Sequence, residues 1–209
     1  MADPFVQLQV INKSNDCNES QVLIFQKNVA PGFSEIAVAW MVIQNLGQGD
    51  RHPFKYQFSM QVDAADSWGN YTPQFPASPG QAYQMVKTCS GNELKNYGPG
   101  AAEATDIDVL NNLAQGAIAA NIYRSGKMMA TKTGIAPGQK AVFQFKPTIF
   151  IGVASQIIEG EILNSAILSS INTEISLLGL KSADIIMTGG GPGTTSTPFQ
   201  FNLANQQYL

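Results

Sequence analysis

F-K-Y-Q-F-S-M-Q-V-D, residues 54–63, is the stretch that decides the fold class. Phe54, Tyr56, Phe58, Met60 and Val62 fall on one side of an extended backbone, and Lys55, Gln57, Ser59, Gln61 and Asp63 on the other. Successive side chains on a strand point to opposite faces, so this reads as one strand with a dry face and a wet face. A sheet wet on one side is an antiparallel one, because parallel sheets are covered on both faces.

The same alternation recurs outward from this run. Residues 5–11 place Val6, Leu8 and Val10 on one face and Gln7 and Gln9 on the other. Residues 141–145 alternate through Ala141, Phe143 and Phe145, and residues 199–203 through Phe199, Phe201 and Leu203. Two segments, 22–25 and 36–43, are apolar without alternation and predict central strands buried on both faces, with Trp40 in the core. Further strands are expected at 81–87, 106–110, 148–153, 174–178 and 184–188. A hairpin is expected from 116–124 and 127–131 around Ser125-Gly126, where Gly supplies a positive φ.

Pro31-Gly32 and Ala136-Pro137-Gly138-Gln139 are turn signals. Residues 12–19, 45–53, 64–80 and 90–103 read as turn or loop. Residues 154–171 are ambiguous between helix and strand; Gly160 and the Ser- and Ile-rich composition favour extended chain with one helical turn. About a dozen short strands separated by turns predict an all-β fold, an antiparallel β-sandwich or its jelly-roll-like form, with little helix. No dividing linker is visible, so residues 1–209 are expected to form one domain.

The chain has 209 residues, of which 44% are hydrophobic and only 13% charged. Globular chains ordinarily carry roughly 25% charged residues. Gln, Asn, Ser and Thr replace the missing charge. With a net charge of -3 and no basic stripe, nucleic acid is not an expected partner. Low charge density weakens repulsion between copies and points to a homo-oligomer. Residues 1–20 carry no basic start followed by an apolar run, and no stretch suits a membrane helix, so the expectation is a cytoplasmic protein without stable membrane insertion. Cys17 and Cys89 lack metal-ligand spacing and are expected as free thiols. The triplets beginning at Asn12, Asn18 and Asn70 match the N-glycosylation pattern and, without a leader, read as chance.

Little in the sequence carries chemistry. His52 is the only histidine, placed in a loop, so a multi-histidine metal site is excluded. The cluster T-G-G-G-P-G-T-T, residues 188–195, lacks the lysine of a phosphate loop and reads as a connection between strands, as does Gly98-Pro99-Gly100. Glu159 and Glu161 would share a strand face and read as a solvated edge. No catalytic residue, cofactor or metal is expected, and an enzyme is the minority reading.

The long loop is the exception. In D-S-W-G-N-Y-T, Asp66, Trp68, Asn70 and Tyr71 combine two rings with hydrogen-bonding side chains. Such a set stacks on and bonds a sugar, or anchors a protein interface; the alternative is that Trp68 folds back and plugs the sandwich end. The expected function is therefore a self-associating structural or interaction subunit, with a lectin-like carbohydrate-binding module built on the Trp68 loop as the second reading. A third is a membrane-acting protein in which residues 154–178 refold into an amphipathic hairpin.

Overall fold

The structure, a computed structural model, describes residues 4–17, 20–30 and 37–209. Asn18 and Glu19 of the second glycosylation triplet, the Pro31-Gly32 turn and Ile36 lie outside the described residues. Among the described residues the protein is all-β, with sixteen strands, one short α-helix and one 3-10 turn. Four sheets of four strands form β-sandwich architecture. The ladders are antiparallel except for two parallel pairs noted below. The chain divides into two compact units, each assembled from separate segments.

The first unit comprises Met1–Gln26, Ala37–Phe58 and Pro147–Leu209. It contains β1 (Phe5–Asn12), β2 (Gln21–Phe25), β3 (Met41–Ile43) and β4 (Arg51–Gln57) from the N-terminal part of the chain. The C-terminal part returns β13 (Thr148–Ala154), the helix α1 (Ser165–Ser170), β14 (Thr173–Ser176), β15 (Leu180–Gly190) and β16 (Thr197–Tyr208). One sheet runs β16-β15-β1-β4, with β1 parallel to β15; the other runs β14-β13-β2-β3. Val6, Leu8 and Val10 of β1 are buried as the alternation requires. Trp40, fully buried, meets Phe54 and Tyr56 of β4 edge-on, with centroids 6.2 and 5.9 Å away. The Tyr56 hydroxyl accepts a hydrogen bond from Gln26 Nε2 at 2.9 Å, which satisfies a phenol taken out of water.

Strand β2 is buried on both faces, and the segment left ambiguous by the sequence explains why. Leu23 and Phe25 point into a second apolar cluster with Ala37, Ala39, Ile157, Leu163, Leu168 and Ile171. Residues 154–171 are thus not the extended run expected. β13 pairs with β2 on one edge, and the chain leaving β13 does not return at once to fill the other, which β14 takes only after α1. It turns instead through Gln156 (φ 59) and Gly160 (φ 86), exchanges backbone bonds with Ala37 and Ala39, and ends in α1. Asn164 caps that helix by accepting from Ile167 N–H at 3.0 Å. The loop after β13 and α1 therefore lie over β2, and β14 follows beside β13. Glu159 and Glu161 stand exposed in this loop and not on a strand.

The second unit comprises Lys27–Ile36 and Ser59–Lys146. One sheet joins β5 (Met60–Ala65), β6 (Phe75–Ala77), β10 (Ile118–Arg124) and β11 (Lys127–Ile135) in the order β11-β10-β5-β6. The other joins β7 (Ala82–Thr88), β8 (Gly91–Asn96), β9 (Ile107–Asn111) and β12 (Lys140–Phe143) in the order β12-β9-β7-β8, with β7 parallel to β9. The expected hairpin is β10–β11, turning at Ser125 (φ 54) and Gly126 (φ 75), the pair of positive φ values that suits right-twisted strands.

Further expectations are corrected, beginning with two strand bounds: only Met41–Ile43 of the run 36–43 forms a strand, and Phe75–Ala77, expected as loop, forms β6. The run 54–63 is not one strand: β4 ends at Gln57 and β5 begins at Met60, while Phe58 N–H donates to the Pro4 carbonyl at 3.1 Å. Four of its five apolar positions keep their facing, Phe54 and Tyr56 in the core of the first unit and Met60 and Val62 in that of the second, while Phe58 at the break is exposed. Asp63, expected in water, is buried. Residues 91–96, expected as loop, form β8 against β7. Only Leu94 is buried along β8, so the alternation that marks a strand is nearly absent there. His52 lies in β4 opposite Val10, not in a loop.

The glycine cluster does connect two strands, β15 and β16, and its composition is steric in origin. At Gly189 (φ +90) an added Cβ would lie 2.2 Å from the Pro198 carbonyl oxygen. Gly49 has nearly the same φ, +88, with nothing within 4 Å. Gly189→Ala is therefore expected to cost about 2 kcal/mol more than Gly49→Ala, which suffers backbone strain alone. Denaturant unfolding of the two variants checks this; equal losses would refute the steric account.

Candidate ligand-binding site

Asp66 organises the aromatic loop. Its Oδ1 accepts from Trp68 N–H at 2.9 Å and Asn70 N–H at 3.0 Å, and its Oδ2 accepts from Asn92 Nδ2 at 3.1 Å. Backbone bonds from Asp66 N–H to the Asn70 carbonyl and from Gly69 N–H to the Asp66 carbonyl close the same turn. Gly69 takes φ +84, a conformation L side chains resist. Slight desolvation pushes the Asp66 carboxyl up, but the hydrogen bonds from Asn70, Trp68 and Asn92 outweigh it and hold the group below the usual carboxylate range.

A second loop faces the first. Asn111, fully buried at the end of β9, donates through Nδ2 to the carbonyls of Gly116 (2.9 Å) and Ile135 (2.8 Å) and accepts from Leu113 N–H at 3.1 Å. One amide thereby ties down the loop between β9 and β10, whose first residue, Asn112, also donates to Met85 and Gln84 of β7. Gly116 lets the loops approach: a Cβ there would stand 3.2 Å from Ser67 Oγ. Between them lies a cleft of about 430 Å³ lined by Asp66, Trp68, Lys87, Asn92, Leu113 and Gln115, among others. The β7–β8 hairpin supplies Lys87 and Asn92 and is itself pinned by Glu93. The carboxyl of Glu93 is held down to about 2 by hydrogen bonds from the Ser90 and Thr88 hydroxyls and by Lys95.

The structure brings Asp66 and Trp68 together at the cleft. Asn70 turns its amide back to Asp66 and supports the loop, and Tyr71 forms an isolated bridge with Ala65 outside the cleft. Trp68 is 85% exposed and plugs nothing. Lys87, Asn92, Leu113 and Gln115 were not singled out in the sequence. They lie 19 to 47 positions from Trp68, on a strand pair and a loop that no local motif links to it. Among the described residues no cluster of three or more His, Cys, Asp or Glu could hold a metal, and Cys17 and Cys89 are free and exposed. Asn12, first of the glycosylation triplets, is buried and donates to the Leu46 carbonyl at 2.6 Å.

Beneath the loop, Asp63, Asn121 and Thr131 form a buried polar row across β5, β10 and β11. Asn121 Nδ2 donates to Asp63 Oδ1 at 2.8 Å, and Thr131 Oγ1 donates to Asn121 Oδ1 at 2.7 Å. Burial pushes the Asp63 carboxyl above its ordinary value, against hydrogen bonds from Asn121, Tyr123 and Gln74. The Tyr123 hydroxyl is raised in turn, by its own burial and by the neighbouring Asp63 charge.

No protein-family model, curated protein or solved structure matches this chain. No helix among the described residues is long and apolar enough to cross a membrane.

Two predictions follow from the hydrogen bonding. Asn111→Ala strands two carbonyls and an N–H, and is expected to cost about 3 kcal/mol. It should also raise hydrogen exchange at Leu113 N–H, and unchanged exchange there would show that the loop holds without the amide. A carboxyl whose folded pKa is raised contributes stability below its unfolded pKa and loses it as pH rises through the folded value. Asp63→Asn should therefore gain stability relative to the parent as pH rises from about 4 to 7; urea unfolding across that range would show a flat difference if Asp63 were unperturbed.

Proposed function

We propose that this chain is a binding module for a neutral, polyhydroxylated ligand, a mono- or oligosaccharide, held in the cleft beside Trp68. The observation that carries this reading is Trp68 itself: a loop fixed by five hydrogen bonds and backbone contacts around Asp66 presents a large ring that is 85% exposed at the lip of a cleft. A rigid exposed indole buries its face only when a partner arrives. The C–H face of a sugar ring is such a partner, and the residues that line the cleft with Trp68 include groups that bond hydroxyls: the side-chain amides of Gln115 and Asn92 and the Lys87 ammonium. The volume lies in the range of small-molecule sites. Asp66 plays the part of a positioning residue, since most of its acceptor capacity is spent on its own loop.

Because Trp68 touches little of the fold, Trp68→Ala should leave unfolding stability within about 0.5 kcal/mol of the parent. The same variant should weaken binding of the glycans retained by the parent on an array by roughly tenfold or more, read by calorimetry. Silence of the parent across the array, or affinity unmoved in Trp68→Ala, would overturn the reading.

A further inference from the structure

Among the described residues every sheet has two edge strands, and seven of these eight are defended. β3 and β6 are three residues long, and β6 contains Pro76. β4 carries Arg51 and Lys55, β8 Glu93 and Lys95, β11 Lys127 and Lys132, β12 Lys140, and β14 Glu174. Short length, proline and charge are the devices that stop an open row of N–H and C=O groups from recruiting another strand. The eighth edge, β16, has none of them over most of its length. It runs for twelve residues, T-P-F-Q-F-N-L-A-N-Q-Q-Y, with no Asp, Glu, Lys or Arg and its single proline at the second position. It is exposed along most of its length, and exposed Leu178, Tyr208 and Leu209 continue the apolar surface at its C-terminal end.

We infer that β16 is a homotypic interface: two copies of this chain pair antiparallel through their β16 edges. A second copy is the occupant that the strand's own chemistry selects. Antiparallel self-pairing places no charge opposite a charge, because the strand has none, so no ion is desolvated. Pairing centred on Asn202 sets Phe201 against Leu203 of the other copy and Gln200 against Ala204, which keeps the apolar row continuous on one face. The β16-β15-β1-β4 sheet then extends through the two-fold axis into an isologous partner sheet. The asymmetry of defence carries the argument, since the same chain shortens or charges seven edges and leaves Gln200–Ala204, the regularly paired run of β16 between its bulged ends, with neither device. This inference is independent of the sugar reading, because β16 contributes no residue to the Trp68 cleft.

Light scattering on a size-exclusion peak, with analytical ultracentrifugation for the dissociation constant, tests it on the full chain. The parent is expected at twice the chain mass. Asn202→Lys and Gln200→Lys, both at exposed positions, set like charges near the axis and should each raise the dissociation constant roughly tenfold or more. Thr133→Lys, on the already charged β11 edge, should leave it unchanged. Circular dichroism confirms that each variant is folded, and two separate β16 variants guard against one misfolding. A parent that is monomeric at its highest soluble concentration, or a dimer that both β16 lysine variants leave intact, would overturn the inference.

Discussion

Backbone hydrogen bonding, more than side-chain burial, is the demand that this molecule answers to throughout. Each buried N–H and C=O must find a partner, and in a protein of short strands much of the chain lies where no ladder supplies one. The side-chain amides fill that need. Asn111 serves two carbonyls and an N–H, Asn28 bonds the Val142 carbonyl and the N–H groups of Ala30 and Gln144, and Asn12 bonds the Leu46 carbonyl and Ser14 N–H. A neutral amide both donates and accepts, so it can stand in for a length of strand where a carboxylate or an ammonium could not. This gives the low charge content a second meaning. Part of the Asn and Gln that replaces charge is not surface at all but internal stapling: Asn12, Gln26, Asn111 and Asn121 are all buried.

The period-two pattern made the all-β class readable, because Val6, Leu8, Val10, Ile107 and Val109 each face the core that their spacing requires. The pattern was silent where hydrogen bonds rather than burial define a strand. β8 buries only Leu94 and is fastened by hydroxyls and Glu93 at its turn, so nothing in its hydropathy distinguishes it from loop. It was misleading where an element packs on a strand's second face. Ile157, Leu163, Leu168 and Ile171 serve Leu23 and Phe25 while Ile158 and Ile162 are exposed, so their spacing reflects that surface instead of any one regular element. Of the aromatic loop, the sequence located Asp66 and Trp68. It had no means of pairing them with Asn92 or Gln115, which arrive by topology.

Within the loop the residue types divide their labour in a way that composition alone obscures. Asp66 and Trp68 stand two positions apart and look like one binding set, yet the carboxylate faces inward to its own turn while the indole faces water. Removing the first would loosen the frame, and removing the second would strip the contact and leave the frame standing. In the proposed site the frame and the ring are separable, so the ring and its neighbours can change without loss of fold.

The break inside the run 54–63 follows from the same separation of backbone and side-chain demands. Alternation fixes which residues point inward, but it places no limit on which core they point into. Phe54 and Tyr56 close around Trp40, and Met60 and Val62 belong to the other unit, with Phe58 and Ser59 spent on the crossing. Each strand takes its facing from the sheet it pairs in, β4 from β1 and β5 from β10 and β6. Past the crossing, Asp63 falls on the face that parity assigns to solvent, and that face is covered. The polar row through Asn121 and Thr131 is what allows a carboxyl to sit there, since each member has a partner on the neighbouring strand.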